Sequence, residues 1–161
     1  MIKIDAALLN VISDNAQKSN RKRMNLNFHH NDADRLQRFI NAIEPYSYIQ
    51  PHKHENPDKR EVFFILKGKM LVVEFDDDGN VLDHIILDAE QGNFAVEIPE
   101  KTWHTILSLE KSSVAYEFKD GPYAVADDKN FAVWAPKEGD PLCKAYIDNL
   151  LENLQLQIQS F

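Results

Sequence analysis

The chain of 161 residues has very little cysteine and no long apolar run. The single cysteine, Cys143, excludes an internal disulfide, and we therefore expect a reducing, cytoplasmic compartment. No apolar run approaches the roughly 18 residues of a membrane helix, so no membrane partner is expected. The N-terminal segment is interrupted by Asp5 and Asn10 and has no small-residue cleavage site, which argues against a secretion signal.

Basic side chains are scarce after residue 60. The chain holds 18 basic and 26 acidic side chains, a formal net charge of −8. Residues 1–60 hold 10 basic and 7 acidic side chains, residues 61–161 hold 8 and 19, and all five arginines lie in the first part. We expect no nucleic-acid partner, because such binding needs a broad basic surface. A small anionic substrate held by a few arginines is compatible with this distribution.

Between residues 36 and 119 the chain consists of short apolar runs separated by turn signals. Lys67-Gly68-Lys69 and Asp76-Asp77-Asp78-Gly79-Asn80 are typical of hairpin turns. Strands at a spacing of roughly 8–12 residues, without helical crossovers, predict an all-β sandwich or barrel. The predicted strands are residues 36–43, 46–52, 61–66, 70–75, 81–87, 94–98, 102–109 and 113–119, and residues 21–30 alternate loosely enough to form another.

Helices are predicted at both ends of the barrel. Asp5 suits the N-cap of a first helix, and the tail from residue 141 to 159 carries one apolar stripe at helical spacing. That stripe either packs on the parent sandwich or forms a homodimer contact. We predict a single domain with a helical segment at residues 1–20, a barrel at residues 21–135 and a C-terminal helix at residues 141–159.

Three of the six histidines occur at positions from which β-strands could present them to a common site. His52 and His54 lie two residues apart, so a strand places both on one face. Glu61 starts the next strand, and His104 lies in a later one. Three imidazoles and a carboxylate suffice for one divalent transition metal (Zn, Fe, Ni, Mn or Co) with open positions for water or substrate. Taken alone, such a pair of histidines after a proline is more often a solvated surface feature than a metal site.

The same spacing resembles the two cupin motifs. Pro51-His52-Lys53-His54, Glu61 and Gly68 resemble the first motif, H-x-H-x(3,4)-E-x6-G, with a longer insert before the glutamate. Gly92, Pro99 and His104 resemble the second, G-x5-P-x-G-x2-H-x3-N. Lys101 and Ser108 replace its second glycine and its asparagine.

A narrower resemblance covers nearly the whole chain. The chain is similar to the WbuC family of cupin-fold metalloproteins, which is associated with bacterial surface-polysaccharide gene clusters. This resemblance implies a cupin jelly-roll β-barrel (a double-stranded β-helix) with His52, His54, Glu61 and His104 as metal ligands, and it implies no known reaction. It rests on Arg21-Lys22-Arg23-x-Asn25-x-Asn27-x-His29, Gln37-Arg38, Asn41-Ala42, Pro51-His52-Lys53-His54, Gly121-Pro122-Tyr123 and Phe131-Ala132-x-Trp134-Ala135-Pro136.

The alternation of side chains along strands predicts which further residues lie beside the metal. Arg21, Arg23 and Asn25 fall on one side of an extended segment, where they and Arg38 are candidates for binding an anionic substrate. A solvated edge strand protected by charge is the alternative. The predicted substrate-binding residues are Arg21, Arg23, Asn25 and Arg38, with Tyr48 and Gln50, which share a face with His52.

Two residues are candidates for acid–base catalysis. Glu117 and Tyr123 lie on or near a late strand, where either could exchange a proton with a substrate polarised by the metal. An ion pair of Glu117 with Lys119 on the sheet surface is the alternative.

Three functions follow from these residues. The first is a metal-dependent enzyme acting on a small anionic or sugar-type substrate, isomerase- or epimerase-like. The resemblance adds a place in bacterial surface-polysaccharide biosynthesis. The second is an Fe(II)-dependent dioxygenase, since three histidines and a glutamate also serve that chemistry. The third is a non-catalytic, metal-containing sugar-binding or regulatory module.

Overall fold

Ten strands and two α-helices make up the described part of the fold. The computed structural model describes residues 1–124 and 129–158. The helices are α1 (Ala6–Lys18) and α2 (Cys143–Asn153), and the strands are β1 (Arg23–Asn27), β2 (Leu36–Ile43), β3 (His52–Lys53), β4 (Glu61–Lys67), β5 (Met70–Phe75), β6 (Val81–Leu87), β7 (Ala95–Ile98), β8 (Trp103–Ser108), β9 (Ser113–Asp120) and β10 (Asn130–Phe131).

The strands form two five-stranded sheets. Sheet A has the order β1-β2-β9-β4-β7 and sheet B the order β10-β3-β8-β5-β6, and all strand pairs are antiparallel. Apolar side chains from both sheets meet between them in one buried core, in which Phe63 and Ile65 of sheet A pack with Met70, Val72 and Ile106 of sheet B. The predicted all-β jelly roll with a helix at each end is confirmed.

The first helix packs on the outer face of sheet A. Asp5 caps it, because its side chain accepts a hydrogen bond from the Leu8 backbone N–H at 3.0 Å. Leu9 and Ile12 are buried against Ile40 and Val114. The helix therefore covers the outer side of the β1-β2-β9 end of the sheet and leaves its inner side to other contacts.

The second helix packs on the outer face of sheet B, so its apolar stripe contacts the sandwich, as one of the two sequence interpretations predicts. Ile147, Leu150 and Leu151 are buried in one cluster with Leu71 and Leu107. None of the helices in residues 1–124 and 129–158 is long and apolar enough to cross a membrane.

This helix is shorter than the predicted range of residues 141–159. Gln155 takes the left-handed conformation, with φ +56°. The Leu156 N–H bonds to the Leu151 carbonyl and the Gln155 N–H to the Glu152 carbonyl, which is the pattern that closes a helix. The last predicted residue, Gln159, lies outside the described residues.

The strand predicted at residues 46–52 is the main difference from the predicted sheet. Only its last residue belongs to β3, because Tyr46 has φ +62° and breaks an extended chain. The backbone carbonyls that follow are bonded by side chains: the Ile49 carbonyl accepts from Thr105 Oγ1 at 2.7 Å, and that of Tyr48 accepts from Arg23 at 2.8 Å. Side chains thus supply the hydrogen bonds that these backbone carbonyls would otherwise receive from a neighbouring strand. The short strand β10 was not predicted.

A pair of glycines offers a test of the β4–β5 hairpin. Gly68 has φ +71°, and a Cβ there would overlap the Ser113 Oγ and lie 2.9 Å from the Ser113 Cα, whereas Gly92 has φ +84° with nothing within 4 Å. We expect Gly92→Ala to lower the free energy of unfolding by about 1–2 kcal/mol, the cost of the left-handed backbone. Gly68→Ala should cost about 1–3 kcal/mol more because of the overlap. Urea denaturation of both variants measures the difference, and equal losses would contradict the close approach.

Candidate metal centre

Four potential ligands meet between the sheets. His52 of β3 pairs directly with His104 of β8, His54 follows two residues later, and Glu61 begins β4 on the opposite sheet. Each is at most 3% exposed. One ligand atom from each residue can be chosen so that all four lie within 4.8 Å of one another. The pairing of β3 with β8 in sheet B brings the histidines together, and Glu61 approaches them from sheet A. The structure thus brings together the four residues singled out from the sequence.

The backbone fixes the orientation of two of these imidazoles. The Nδ1 of His52 lies 3.0 Å from the Gln50 carbonyl, and the Nδ1 of His104 lies 2.8 Å from the Thr102 carbonyl. Since a carbonyl only accepts, each Nδ1 carries the proton, and a neutral ring then has its lone pair on Nε2. Histidines that bind metals are commonly oriented in this way.

The contact between His104 and Glu61 needs a cation. The Nε2 of His104 lies 3.0 Å from one carboxylate oxygen of Glu61, and the Nε2 of His54 lies 3.0 Å from the other. A lone pair facing a carboxylate is repulsive unless a proton or a metal ion lies between them. Two ligand atoms bound at right angles at about 2.1 Å from a metal are themselves about 3 Å apart. The donor set therefore fits a transition metal.

Burial sets the charges of these groups. It lowers the pKa of His52 well below its usual value, so this ring is neutral. Burial also raises the pKa of the Glu61 carboxyl, but the contacts with His104 and His54 and the charge of Lys119 outweigh it and hold that pKa well below its usual value. A neutral imidazole and an ionised carboxylate are the protonation states that bind metal.

The turn before His104 forms although it lacks the glycine of the second cupin motif. Lys101 takes the left-handed conformation with φ +65°. Its N–H donates to the His54 carbonyl at 3.1 Å, and its Nζ lies 3.1 Å from Asp58. The turn therefore ties the loop that carries one ligand to the strand that carries another.

Two further ionisable residues lie beside the cluster on the inner face of sheet A. Lys119 pairs across the strands with Glu61, and Glu117 pairs with Phe63. Both are buried, so the alternative of an ion pair on the sheet surface is wrong. Lys119 Nζ lies 3.6 Å from a Glu61 oxygen and 5.6 Å from the ring centre of Tyr123.

Glu117 is the second buried carboxyl of this face. Burial and the negative charge of Glu61 raise its pKa to about 8. Asn41 Nδ2 donates to it at 3.1 Å. A carboxyl that titrates near neutral pH can give or take a proton there.

The arginines near the N-terminus are engaged elsewhere. Arg21 and Arg23 both pair with Glu138, at 2.7 and 2.6 Å. Arg38 pairs with Phe118 in the sheet, on the face opposite Glu61, and donates to the Phe28 carbonyl at 3.0 Å. The prediction that Arg38 binds a substrate beside the metal is corrected accordingly, because strand alternation turns it away.

Two residues predicted to share the face of His52 are also placed differently. Tyr48 packs edge-on against Tyr146 of α2, with ring centres 5.8 Å apart, and its hydroxyl donates to the Pro136 carbonyl. Gln50 donates its amide to the Ala132 carbonyl and contacts His52 through its backbone. Residues 46–50 are not a strand, so parity does not apply to them. Of the predicted substrate-binding set, only Arg23 and Asn25 lie in a strand on the inner face of sheet A.

The sequence did not predict two residues of the inner face or a buried lysine just before β4. Lys59 is buried, two positions before Glu61, and donates to the Pro122 carbonyl at 2.6 Å. Asn41 and Phe39 are the cross-strand partners of Ala115 and Glu117. Lys59 lies before the start of β4, so strand alternation does not predict its position, and the other two residues require the pairing of β2 with β9.

A family model described as a domain of unknown function, DUF6016, matches residues 4–87. The chain belongs to the DUF6016 family. The matched range contains His52, His54 and Glu61 and ends before His104. No curated protein matches this DUF6016 chain in sequence. The match leaves the narrower resemblance to the WbuC family as a prediction.

Solved structures share the fold of this DUF6016 chain at low identity. The L-ribose isomerase of Cellulomonas parahominis, solved with L-psicose, has a TM-score of 0.54 at 15% identity over 70% of each chain. The capsular polysaccharide assembling protein CapF of Staphylococcus aureus gives 0.53 at 19% identity, over 66% of this chain and 31% of CapF. The protein TT1209 of Thermus thermophilus gives 0.51 at 15% identity, over 74% of this chain and 97% of TT1209.

These likenesses establish a cupin jelly-roll fold and do not extend to activity. In particular, the chain spans about a third of the length of CapF. The cupin fold that the sequence resemblance implies is thereby confirmed.

Proposed function

We propose that the chain binds one divalent transition metal through His52, His54, Glu61 and His104 and acts as a metal-dependent enzyme on a small anionic or sugar-type substrate. The observation that carries the proposal is the 3.0 Å contact of the His104 Nε2 with Glu61, in a ring whose proton lies on Nδ1. The contact requires a proton or a metal ion between the two atoms, and the buried donor set is one that Zn, Fe, Ni, Mn or Co accepts.

The proposed reaction class is isomerisation or epimerisation. The bound metal would supply a Lewis acid that polarises a carbonyl or hydroxyl oxygen of the substrate. Glu117 is the nearby group suited to proton transfer, because its pKa of about 8 permits both protonation states near neutral pH. In isomerisation it would take the proton from the carbon next to the carbonyl and return it to the carbonyl carbon on the same face, while the hydroxyl proton passes to the carbonyl oxygen, so no atom is gained or lost. Epimerisation would need a second proton donor on the opposite face, for which Tyr123 is the candidate.

Lys119 and Tyr123 complete the proposed machinery. The ammonium of Lys119 lies against both Glu61 and the Tyr123 ring. Its charge is placed to stabilise negative charge that develops on a substrate oxygen. Tyr123 would position that ammonium and could also exchange a proton through its hydroxyl.

The sugar-type substrate draws support from the structural comparisons. One protein with this fold is named as a sugar isomerase and another as a capsular polysaccharide assembling protein. We extend the proposal on that basis to bacterial surface-polysaccharide biosynthesis.

Deuterium exchange tests the reaction class without knowledge of the substrate. Protein loaded with each metal in turn is incubated in D₂O with aldoses, ketoses and uronates, and proton NMR follows the carbon-bound proton next to the carbonyl. We expect exchange that needs metal and falls about 100-fold or more in Glu117→Gln, in line with loss of a general base. The matched control is Glu97→Gln, an exposed glutamate of β7.

Two results would redirect the proposal. Metal and sugar binding without exchange in any combination would favour a sugar-binding module. Consumption of O₂ that depends on Fe(II) would favour a dioxygenase.

A further inference from the structure

The inner face of β1 and β2 is polar and reaches the solvent. Asn25 pairs with Asn41, and Asn27 pairs with Phe39. Paired residues share a face, and Phe39 is in turn paired with Glu117 of β9. These four residues, Asn25, Asn27, Phe39 and Asn41, are called the ledge below, and they lie on the same face of sheet A as the candidate metal centre.

Exposure rises along the ledge with distance from the metal centre. Glu117 is 6% exposed, Phe39 is half-buried on the next strand, and Asn27 is exposed on the strand beyond. Strands lie about 4.8 Å apart, so the ledge spans about 10 Å from Glu117 to the edge of the sheet. It connects the buried carboxyl directly with the solvent.

Apart from Phe39 and Ile43, the second of which lies in the core between the sheets, the apolar residues of the same two strands are on the other face. Leu26 and Phe28 pack with Ile40 in the cluster that includes Leu9 of α1. The core of this part of the chain therefore lies on the outer side of the sheet. Packing explains the apolar residues there. On the inner side Asn25 Nδ2 donates to Asn27 Oδ1 at 2.7 Å and Asn41 Nδ2 donates to Glu117, and each of these amides retains further donors and acceptors for a ligand.

The ledge has the composition of a carbohydrate-binding surface. Amide side chains offer both donors and acceptors to hydroxyl groups. An aromatic ring offers a flat apolar face to the C–H groups of a pyranose, and sites for small molecules combine such rings with a few polar groups. Asn41 also contacts Glu117, which joins the ledge to the proposed proton-transfer group. The four ledge side chains are all uncharged, so the portion of ligand that they suit is neutral.

We propose that the ledge binds the neutral, hydroxyl-rich ring of a saccharide, with Phe39 stacked on its apolar side and Asn25, Asn27 and Asn41 bonded to its hydroxyls. This inference rests on the proposed function in one respect: the orientation of the bound sugar follows from the proposed reaction at Glu117. The reacting end of the sugar is then directed along the inner face toward Glu117.

Saturation-transfer NMR with simple sugars tests the ledge. The probes are D-glucose, D-galactose and D-mannose at millimolar concentration, with glycerol as a hydroxyl-bearing probe that has no ring. We expect saturation of ring protons of at least one sugar and little of glycerol. Phe39→Leu, which keeps apolar bulk, should weaken the binding about fivefold or more, a value typical of one lost aromatic contact. Phe39→Trp should retain it.

Control variants separate the ledge from a general loss of structure. Phe94→Ala removes an exposed phenylalanine outside the ledge and should leave sugar binding unchanged. Circular dichroism and thermal unfolding of Phe39→Leu show whether it is folded. Asn27→Ala removes an exposed side chain of the ledge, together with the oxygen that accepts a hydrogen bond from Asn25 Nδ2, and should also weaken binding.

The experiment is run with chelated and with metal-loaded protein, so that two failures are distinguishable. Sugar binding that persists after chelation and is lost in Phe39→Leu supports the ledge even where no metal-dependent exchange is found. Metal binding without any sugar signal, equal signals from glycerol and the sugars, or an unchanged signal in both Phe39→Leu and Asn27→Ala would overturn the ledge and leave the metal proposal intact.

Discussion

Replacing Glu61 with glutamine is expected to lower the affinity of the chain for Zn²⁺ about 100-fold or more, since loss of groups that only orient ligands already costs about 10–100-fold. Both oxygens of this carboxylate meet a histidine at 3.0 Å. The amide that replaces them has one oxygen, no charge and an N–H that donates to an imidazole lone pair. In the variant, the glutamine N–H can therefore occupy an imidazole lone pair that would otherwise bind the metal, so it competes with the metal.

Elemental analysis of the purified protein and competition with a chromophoric chelator measure this loss. Glu97→Gln removes the same charge from an exposed position of sheet A and should bind metal as the wild type does. A second control, His84→Ala, removes an exposed imidazole that is outside the cluster. Wild-type affinity in Glu61→Gln would show that this carboxylate is not a ligand.

The same substitution has an expected effect on the metal-free protein. Without a metal, Glu61 is a buried carboxylate, and a neutral His104 ring whose proton lies on Nδ1 would face it with the lone pair of Nε2. Glutamine removes that conflict. The metal-free variant is therefore expected to unfold at a higher temperature than the metal-free wild type, whereas metal addition stabilises only the wild type. The opposite order would contradict the assignment of the imidazole protons to Nδ1.

Local signals in the sequence were sufficient for most strands of the two sheets and for the four proposed ligands, but not for residues 46–51 or for β10. β5 and β6 have the predicted bounds because Asp76-Asp77-Asp78-Gly79-Asn80 fixes the turn between them. His52 and His104 could be assigned because each lies in or next to a strand that alternation describes. The alternation of side chains along a strand depends only on its own extended backbone, so it can be predicted without knowing the partners of that strand.

The arginines could not be placed because their partners are remote in sequence. Glu138 follows Arg21 and Arg23 by more than a hundred residues, and it lies just before α2. No local pattern predicts that contact. The positive charge expected beside the metal is instead supplied by the buried Lys119.

Glu117→Gln is expected to change how the stability of the metal-free protein depends on pH. The pKa of Glu117 is raised from 4.5 to about 8 by burial and by the charge of Glu61. The folded state therefore holds this proton in a range where the unfolded state has lost it. The stabilisation is complete below the unfolded pKa and is lost as the pH rises to about 8.

Glutamine resembles the protonated carboxyl and does not titrate, so the variant lacks this loss. Relative to the wild type, Glu117→Gln should gain about 2–3 kcal/mol between about pH 5.5 and 8.5, at about 1.4 kcal/mol for each pH unit of the shift that falls in this window. Urea denaturation of chelated protein at several pH values measures the difference, in which the other titrating groups cancel.

Glu97→Gln should follow the wild type across the same range, because this side chain is exposed in both folded and unfolded protein. Parallel pH curves for Glu117→Gln and the wild type would mean that the carboxyl ionises in the fold as it does in water. That result would remove the physical basis for proton transfer by Glu117 near neutral pH. A gain in Glu117→Gln that builds up between about pH 5.5 and 8.5 would instead identify Glu117 as the group that retains its proton beside Glu61.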